Sequence, residues 1–170
     1  MKKKMSNKKC SFIEILKAGG MILAPLVGGV IITLFTVDAQ EAFGKFQQPP
    51  LSPPAWLFPV AWTILYILMG VASWLIYRSE AKKPAEKRLK KKELILFYTQ
   101  LGFNFLWTIL FFNADLKYFA FGWLMIMWMM ILALMIMTWR NARTATWLLV
   151  PYILWCTFAA YLNLGVAVLN

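Results

Sequence analysis

Charge is absent from this chain over five long stretches. No Asp, Glu, Lys or Arg occurs in residues 18–37, 46–77, 94–114, 118–139 or 144–170, which are 20, 32, 21, 22 and 27 residues long. A helix needs about 20 mostly apolar residues to cross a bilayer core. Lipid offers the backbone no hydrogen bonds, and a helix satisfies its own. The stretches therefore predict an all-α fold, an integral membrane bundle of five transmembrane helices. The helices are expected at about 12–37, 53–77, 93–113, 117–139 and 144–168, in a single membrane domain over residues 1–170. Composition excludes an ordinary soluble enzyme. Hydrophobic residues make up 61% and charged residues 15%, with mean hydropathy +0.63, where a soluble domain carries about 25% charged residues.

The charges that remain are sorted by side. Lys2, Lys3, Lys4, Lys8, Lys9 and Lys17 precede or open the first stretch. Eight more basic residues, from Arg78 to Lys92, lie between the second and third, and Arg140 and Arg143 between the fourth and fifth. Only Lys45 and Lys117 fall in the other two connections. Sixteen against two is the positive-inside pattern, which puts the N-terminus in the cytoplasm and the C-terminus outside after five crossings. The net charge of +11 is thus a topology signal and an attraction to anionic membrane lipid. No folded basic domain is left over to bind nucleic acid.

The basic start resembles that of a signal peptide, but the apolar segment behind it has full spanning length and no A-x-A-like site ends it. There is no histidine, which removes the commonest general base and transition-metal ligand. Cys10 and Cys156 sit on the inner tail and in the last span, so no disulfide framework is implied. No metal and no resident cofactor are expected.

The connections differ in character. Residues 38–52 form the long outer loop and end in Pro49-Pro50-Leu51-Ser52-Pro53-Pro54, where Ser52 and Pro53 read as N-cap and first position of the second helix. Residues 78–92 form a basic inner loop with a solvated helical part, and Asn113-Ala114-Asp115 a short outer turn. In the first span Gly20, Ala24 and Gly28 recur every four residues, a spacing that suits close helix approach or a recess for a ligand, and Pro25 is placed to kink it. The fourth span, rich in Met and Trp, suits lipid contact and helix packing.

Polar groups at bilayer depth are costly and point to function. Gln100, Asn104 and Trp107 share one face of the third span; Trp62, Tyr66 and Ser73 share one of the second; Tyr152, Trp155, Ala159 and Asn163 form a stripe on the fifth. Two readings stay open from spacing alone. These groups hydrogen-bond one helix to another, at about 0.6 kcal/mol a contact. Or they wall a shared cavity with aromatic sides and a few polar anchors, bounded by the second, third and fifth helices.

The same residues carry a resemblance. The run Pro53-Pro54-Ala55-Trp56-Leu57-Phe58-Pro59-Val60-Ala61-Trp62 through Tyr66 to Met69-Gly70 resembles the second helix of the translocator protein family, also called tryptophan-rich sensory proteins or peripheral-type benzodiazepine receptors. Gln100-Leu101-x-x-Asn104-x-x-Trp107, followed by Phe111-Phe112, resembles its third helix. Pro151-Tyr152-x-x-Trp155-x-x-Phe158-Ala159-x-x-Leu162-Asn163 resembles its fifth. The three motifs, in order over residues 46–170, identify the chain as similar to that family, and its basic, short-tailed sequence resembles a bacterial plasma-membrane member.

The resemblance implies a receptor or sensor, often a homodimer, that binds porphyrins such as protoporphyrin IX and other flat hydrophobic small molecules inside the bundle. It implies Trp62, Tyr66, Asn104, Trp107, Trp155 and Ala159 as pocket lining, Pro54 and Trp56 near the mouth, and Gln100 as a further ligand contact. Some family members degrade protoporphyrin in light, a role that would fall to Trp62 and Trp155 as catalytic residues. Transport of tetrapyrroles is the third possibility, though the chain shows neither the repeats nor the intramembrane charges usual in transporters. The chain departs from the family pattern at Leu51, where Trp is common, and in the fourth span, which has no acid. It also lacks a basic residue near the C-terminus to complete a cholesterol-recognition pattern.

Overall fold

Each of the five charge-free stretches becomes a helix, and the boundaries are set by what flanks them. The computed structural model describes residues 12–36, 43–114 and 116–170. Lys2, Lys3, Lys4, Lys8, Lys9, Cys10, residues 38–42 of the long loop and Asp115 lie outside the described residues. The helices are α1 (Phe12–Phe35), α2 (Leu57–Arg78), α3 (Pro84–Phe112), α4 (Lys117–Thr138) and α5 (Arg143–Leu169). All five are long and apolar enough to cross a membrane.

Two boundaries differ from the sequence expectation. Ser52 does not cap α2. Its hydroxyl donates to the Pro49 carbonyl at 2.8 Å, as does its backbone N–H at 3.3 Å, closing a turn through Pro50 and Leu51. Leu51 has φ 66°, a left-handed conformation that bulky side chains rarely adopt. α2 then starts at Leu57, after short i→i+3 bonds from Leu57 and Phe58 to Pro54 and Ala55. α3 starts nine residues earlier than expected because Pro84 fits a first helical position. The Glu86 carboxylate also accepts the N–H groups of Lys82 and Lys83 at 2.8 and 3.0 Å. Much of the basic loop is therefore helix. Pro25 lies buried inside an unbroken α1.

The helices form a ring in the order α1, α2, α5, α4, α3, and α3 also meets α2 across the interior. The α1–α3 seam that closes the ring is looser than the α1–α2, α4–α5 and α3–α4 contacts. Small residues set the tight contacts, and of the expected stripe Gly28 is among them while Gly20 is not. A Cβ at Gly70 would strike the Ile22 backbone, one at Gly29 the Tyr66 ring and one at Gly28 the Phe105 ring, while Gly20 faces open space. The buried side of α4, Ala120, Leu124, Met127, Ile131 and Leu134, packs into the core.

Polar stitches run between the helices. Trp107 Nε1 donates to Asn163 Oδ1 at 3.1 Å, and Asn163 Nδ2 to the Lys117 carbonyl at 2.8 Å. Trp123 Nε1 reaches the Phe103 carbonyl, Trp128 Nε1 the Thr157 hydroxyl, and Thr138 pairs with Thr146. At the end of the bundle away from the 78–92 segment, Asn113 Nδ2 caps the Phe35 carbonyl at 2.7 Å. The Asn170 side chain clamps both backbone groups of Gln47, and Tyr161 donates to the Pro50 carbonyl. These bonds hold residues 47–50 over that end of the ring.

Candidate ligand-binding site

The loose seam leaves space beside it. A cavity of about 220 Å³ lies between α1, α2 and α3 under the loop residue Phe43. Six of its sixteen lining residues are aromatic: Phe43 and Phe58 meet edge to face with centroids 4.9 Å apart, and Trp62 stacks on Tyr66 at 5.4 Å. Trp107 and Phe112 complete the α3 side. Leu26, Gly29 and Val30 give α1 a smooth wall, the glycine because the Tyr66 ring occupies the place a Cβ would take.

The cavity's polar groups are hydroxyls. Thr33, Thr36, Thr63 and Thr108 line it, and each donates to the carbonyl four residues back on its own helix. Their protons are spent, so the oxygens keep lone pairs to offer a ligand donor. Among the described residues, no charged side chain lines the cavity. Binding of a flat apolar molecule needs only the aromatic surface.

The sequence profile of the TspO/MBR family matches residues 21–169. The chain belongs to that family. It is 32% identical over 159 residues to the tryptophan-rich protein TspO of Archaeoglobus fulgidus, covering 93% of this chain and 99% of that one. It is 33% identical to the tryptophan-rich sensory protein of Cereibacter sphaeroides (94% and 90% covered), and 34% identical to the translocator protein of Ovis aries (86% and 85%). The chain is thus a TspO/MBR membrane protein with five spanning helices.

The residues singled out in this TspO/MBR sequence divide into two groups. Trp62, Tyr66 and Trp107 line the cavity. Asn104 stands directly behind it, its Oδ1 accepting the Tyr66 hydroxyl at 2.8 Å. Ala55 also lines it, and its neighbours Pro54 and Trp56 are exposed on either side. Gln100, Trp155 and Ala159 do not line it. Gln100 is buried and accepts the Tyr152 hydroxyl at 2.8 Å. Trp155 stands behind Trp62, edge to face at 6.5 Å, and borders a shallow cleft on the outer α2–α5 face with Ala61, Leu65 and Phe158.

The cavity is therefore bounded by α1, α2 and α3 instead of α2, α3 and α5. The reason is that the inner side is filled: the Trp62–Tyr66 stack and the Tyr66–Asn104 and Tyr152–Gln100 bonds occupy the space between α2, α3 and α5. The same residues supply interhelical bonds and part of one cavity wall. The α1 residues and the four threonines were missed. Nothing in their spacing marks a threonine bonded to its own helix as cavity lining. Glu93 was missed too. It lies one residue before a charge-free stretch, yet it is fully buried, with both carboxylate oxygens on Asn141 Nδ2 at 3.0 and 2.9 Å.

Proposed function

We propose that this protein is a membrane receptor or sensor that binds a porphyrin such as protoporphyrin IX, or another flat hydrophobic molecule, in the cavity between α1, α2 and α3. The observation that carries the proposal is the wall: six aromatic side chains, four threonine hydroxyls and, among the described residues, no charge around one partly open space beside the loosest seam of the ring. A planar macrocycle gains stacking area there and meets few groups that must lose water. The names of the relatives, a sensory protein and a translocator protein, agree with a small-molecule receptor. The basic end of the bundle faces the cytoplasm of a bacterial cell in this proposal, following the charge asymmetry. The test is a titration of purified protein with protoporphyrin IX and, in parallel, a sterol, read by quenching of tryptophan fluorescence. Saturable quenching by the porphyrin at one site per chain is expected; quenching that rises without saturation for both would refute it.

A second reading, light-dependent breakdown of the bound porphyrin, is favoured by one contact. Trp62 forms part of the cavity wall and its ring meets Trp155 edge to face, so both tryptophans of that role are adjacent. Illuminated wild-type protein should then lose porphyrin absorbance faster than Trp62→Phe, and equal loss would remove this reading.

A further inference from the structure

The basic end of the bundle holds a second concavity, with different chemistry. Because α3 begins at Pro84, Lys87, Lys90 and Lys91 are carried on a helix, and one stripe of that helix runs from Lys87 and Lys91 through Leu94 and Ile95 to Tyr98. This stripe and Tyr77 at the end of α2 border a groove of about 630 Å³. Its upper part is cationic and its lower part apolar, with Ile95 and Tyr98 exposed. The change falls at residue 94, where the charge-free span starts, and so at the level of the membrane interface.

The cations in this groove are not alike. Lys90 Nζ donates to the Tyr77 and Ser79 carbonyls at 3.0 Å each, closing the C-terminal end of α2. Lys17 of α1 donates to the Tyr77 hydroxyl at 3.3 Å. The Tyr77 ring lies 5.8 Å from the Lys17 ammonium and 5.9 Å from that of Lys90, so three helices converge on one tyrosine. Lys87 and Lys91, one turn apart, are exposed and in no ion pair among the described residues. The nearby acids are committed elsewhere: Glu86 to two backbone N–H groups, Glu93 to Asn141, and Glu80 to Lys82. Like charges one helical turn apart repel unless an anion lies between them.

We infer that this groove is a binding site for an anionic phospholipid, with the phosphate between Lys87 and Lys91 and an acyl chain along Leu94, Ile95 and Tyr98. A free phosphate would use the lysines and leave the apolar floor uncovered; a lipid covers both. A phosphate contacting two ammoniums is bound by charge-assisted hydrogen bonds, stronger than neutral ones. The proposal does not depend on the porphyrin cavity.

A matched pair of variants tests it. Lys87→Gln with Lys91→Gln removes two charges from the groove. Arg88→Gln with Lys92→Gln removes two from another face of the same helix, where they border a separate shallow surface with Pro84 and Leu89. Protein is extracted from bilayers of phosphatidylglycerol and phosphatidylcholine in equal parts, and retained lipid is counted by native mass spectrometry. Wild type should retain phosphatidylglycerol in preference. The groove variant should lose that preference by about thirtyfold, given roughly 1 kcal/mol for each of the two interfacial cations removed, and the control, whose cations lie outside the groove, by less than about twofold. Helical circular dichroism and melting temperature should match wild type in both, since all four side chains are exposed. Equal losses in the two variants would show a general charge effect and overturn the site. So would wild type without preference, or displacement of the lipid by millimolar glycerol phosphate, which would mark a free-anion site.

Discussion

Asn104 shows how a single intramembrane amide is placed. Its Oδ1 accepts the Tyr66 hydroxyl at 2.8 Å, while its Nδ2 is buried with no hydrogen-bond partner among the described residues. Asn104→Leu therefore strands a buried tyrosine hydroxyl and should lower thermal stability, by about 1–3 kcal/mol. Tyr66→Phe strands the amide and should cost a similar amount. The double variant removes both polar groups and should recover part of the loss, because the two effects are one bond. Melting curves of the three variants decide this, and a double loss equal to the sum of the singles would show that the groups do not couple. The face on which Asn104 lies was legible in the sequence, because Gln100, Asn104 and Trp107 follow the helical period. Its partner was not legible. Tyr66 lies 38 residues away on another helix, and periodicity says nothing of how two helices are rotated against each other.

The helices themselves were the most legible part, since charge-free runs of spanning length leave few other folds. Their ends were less so. Ser52-Pro53 has the composition of a helix start, but the Ser52 hydroxyl closes the turn before it. Likewise the 78–92 segment reads as polar loop by composition, whereas Pro84 and Glu86 start α3 inside it. Which glycine makes a close contact was also hidden. Gly70 faces the Ile22 backbone, which cannot yield as a side chain can. Gly70→Val should force α1 from α2 and destabilise by about 1–3 kcal/mol, the usual range for overpacking. Gly20→Ala, with open space before it, should be neutral or slightly stabilising, since alanine favours helix. Thermal unfolding in detergent compares the two. Equal destabilisation would contradict the α1–α2 packing.

At the scale of the whole molecule, ring order decides where a ligand can go. Ring order follows from tertiary packing that no one helix encodes, so the sequence placed α5 at the cavity and the structure places α1 there. Side-chain charge, by contrast, encodes orientation directly. In a background of Cys10→Ser and Cys156→Ala, a cysteine at Lys45 should react with an impermeant reagent added outside intact cells. One at Lys87 should react only after lysis. Labelling of the Lys87 site from outside would reverse the topology.

Porphyrin affinity in Trp62→Ala and Trp128→Ala tests the cavity assignment most directly, followed by the absorbance of protoporphyrin IX itself so that losing a tryptophan does not change the signal. Trp62 forms part of the cavity wall and stacks on Tyr66; Trp128 lies outside the cavity lining, bonded to Thr157 of α5. Loss of the Trp62 wall should weaken binding by about 1–3 kcal/mol, on the scale of a buried aromatic contact, and Trp128→Ala should bind as wild type does. Unchanged affinity in Trp62→Ala, or an equal loss in both variants, would contradict a ligand seated between α1, α2 and α3.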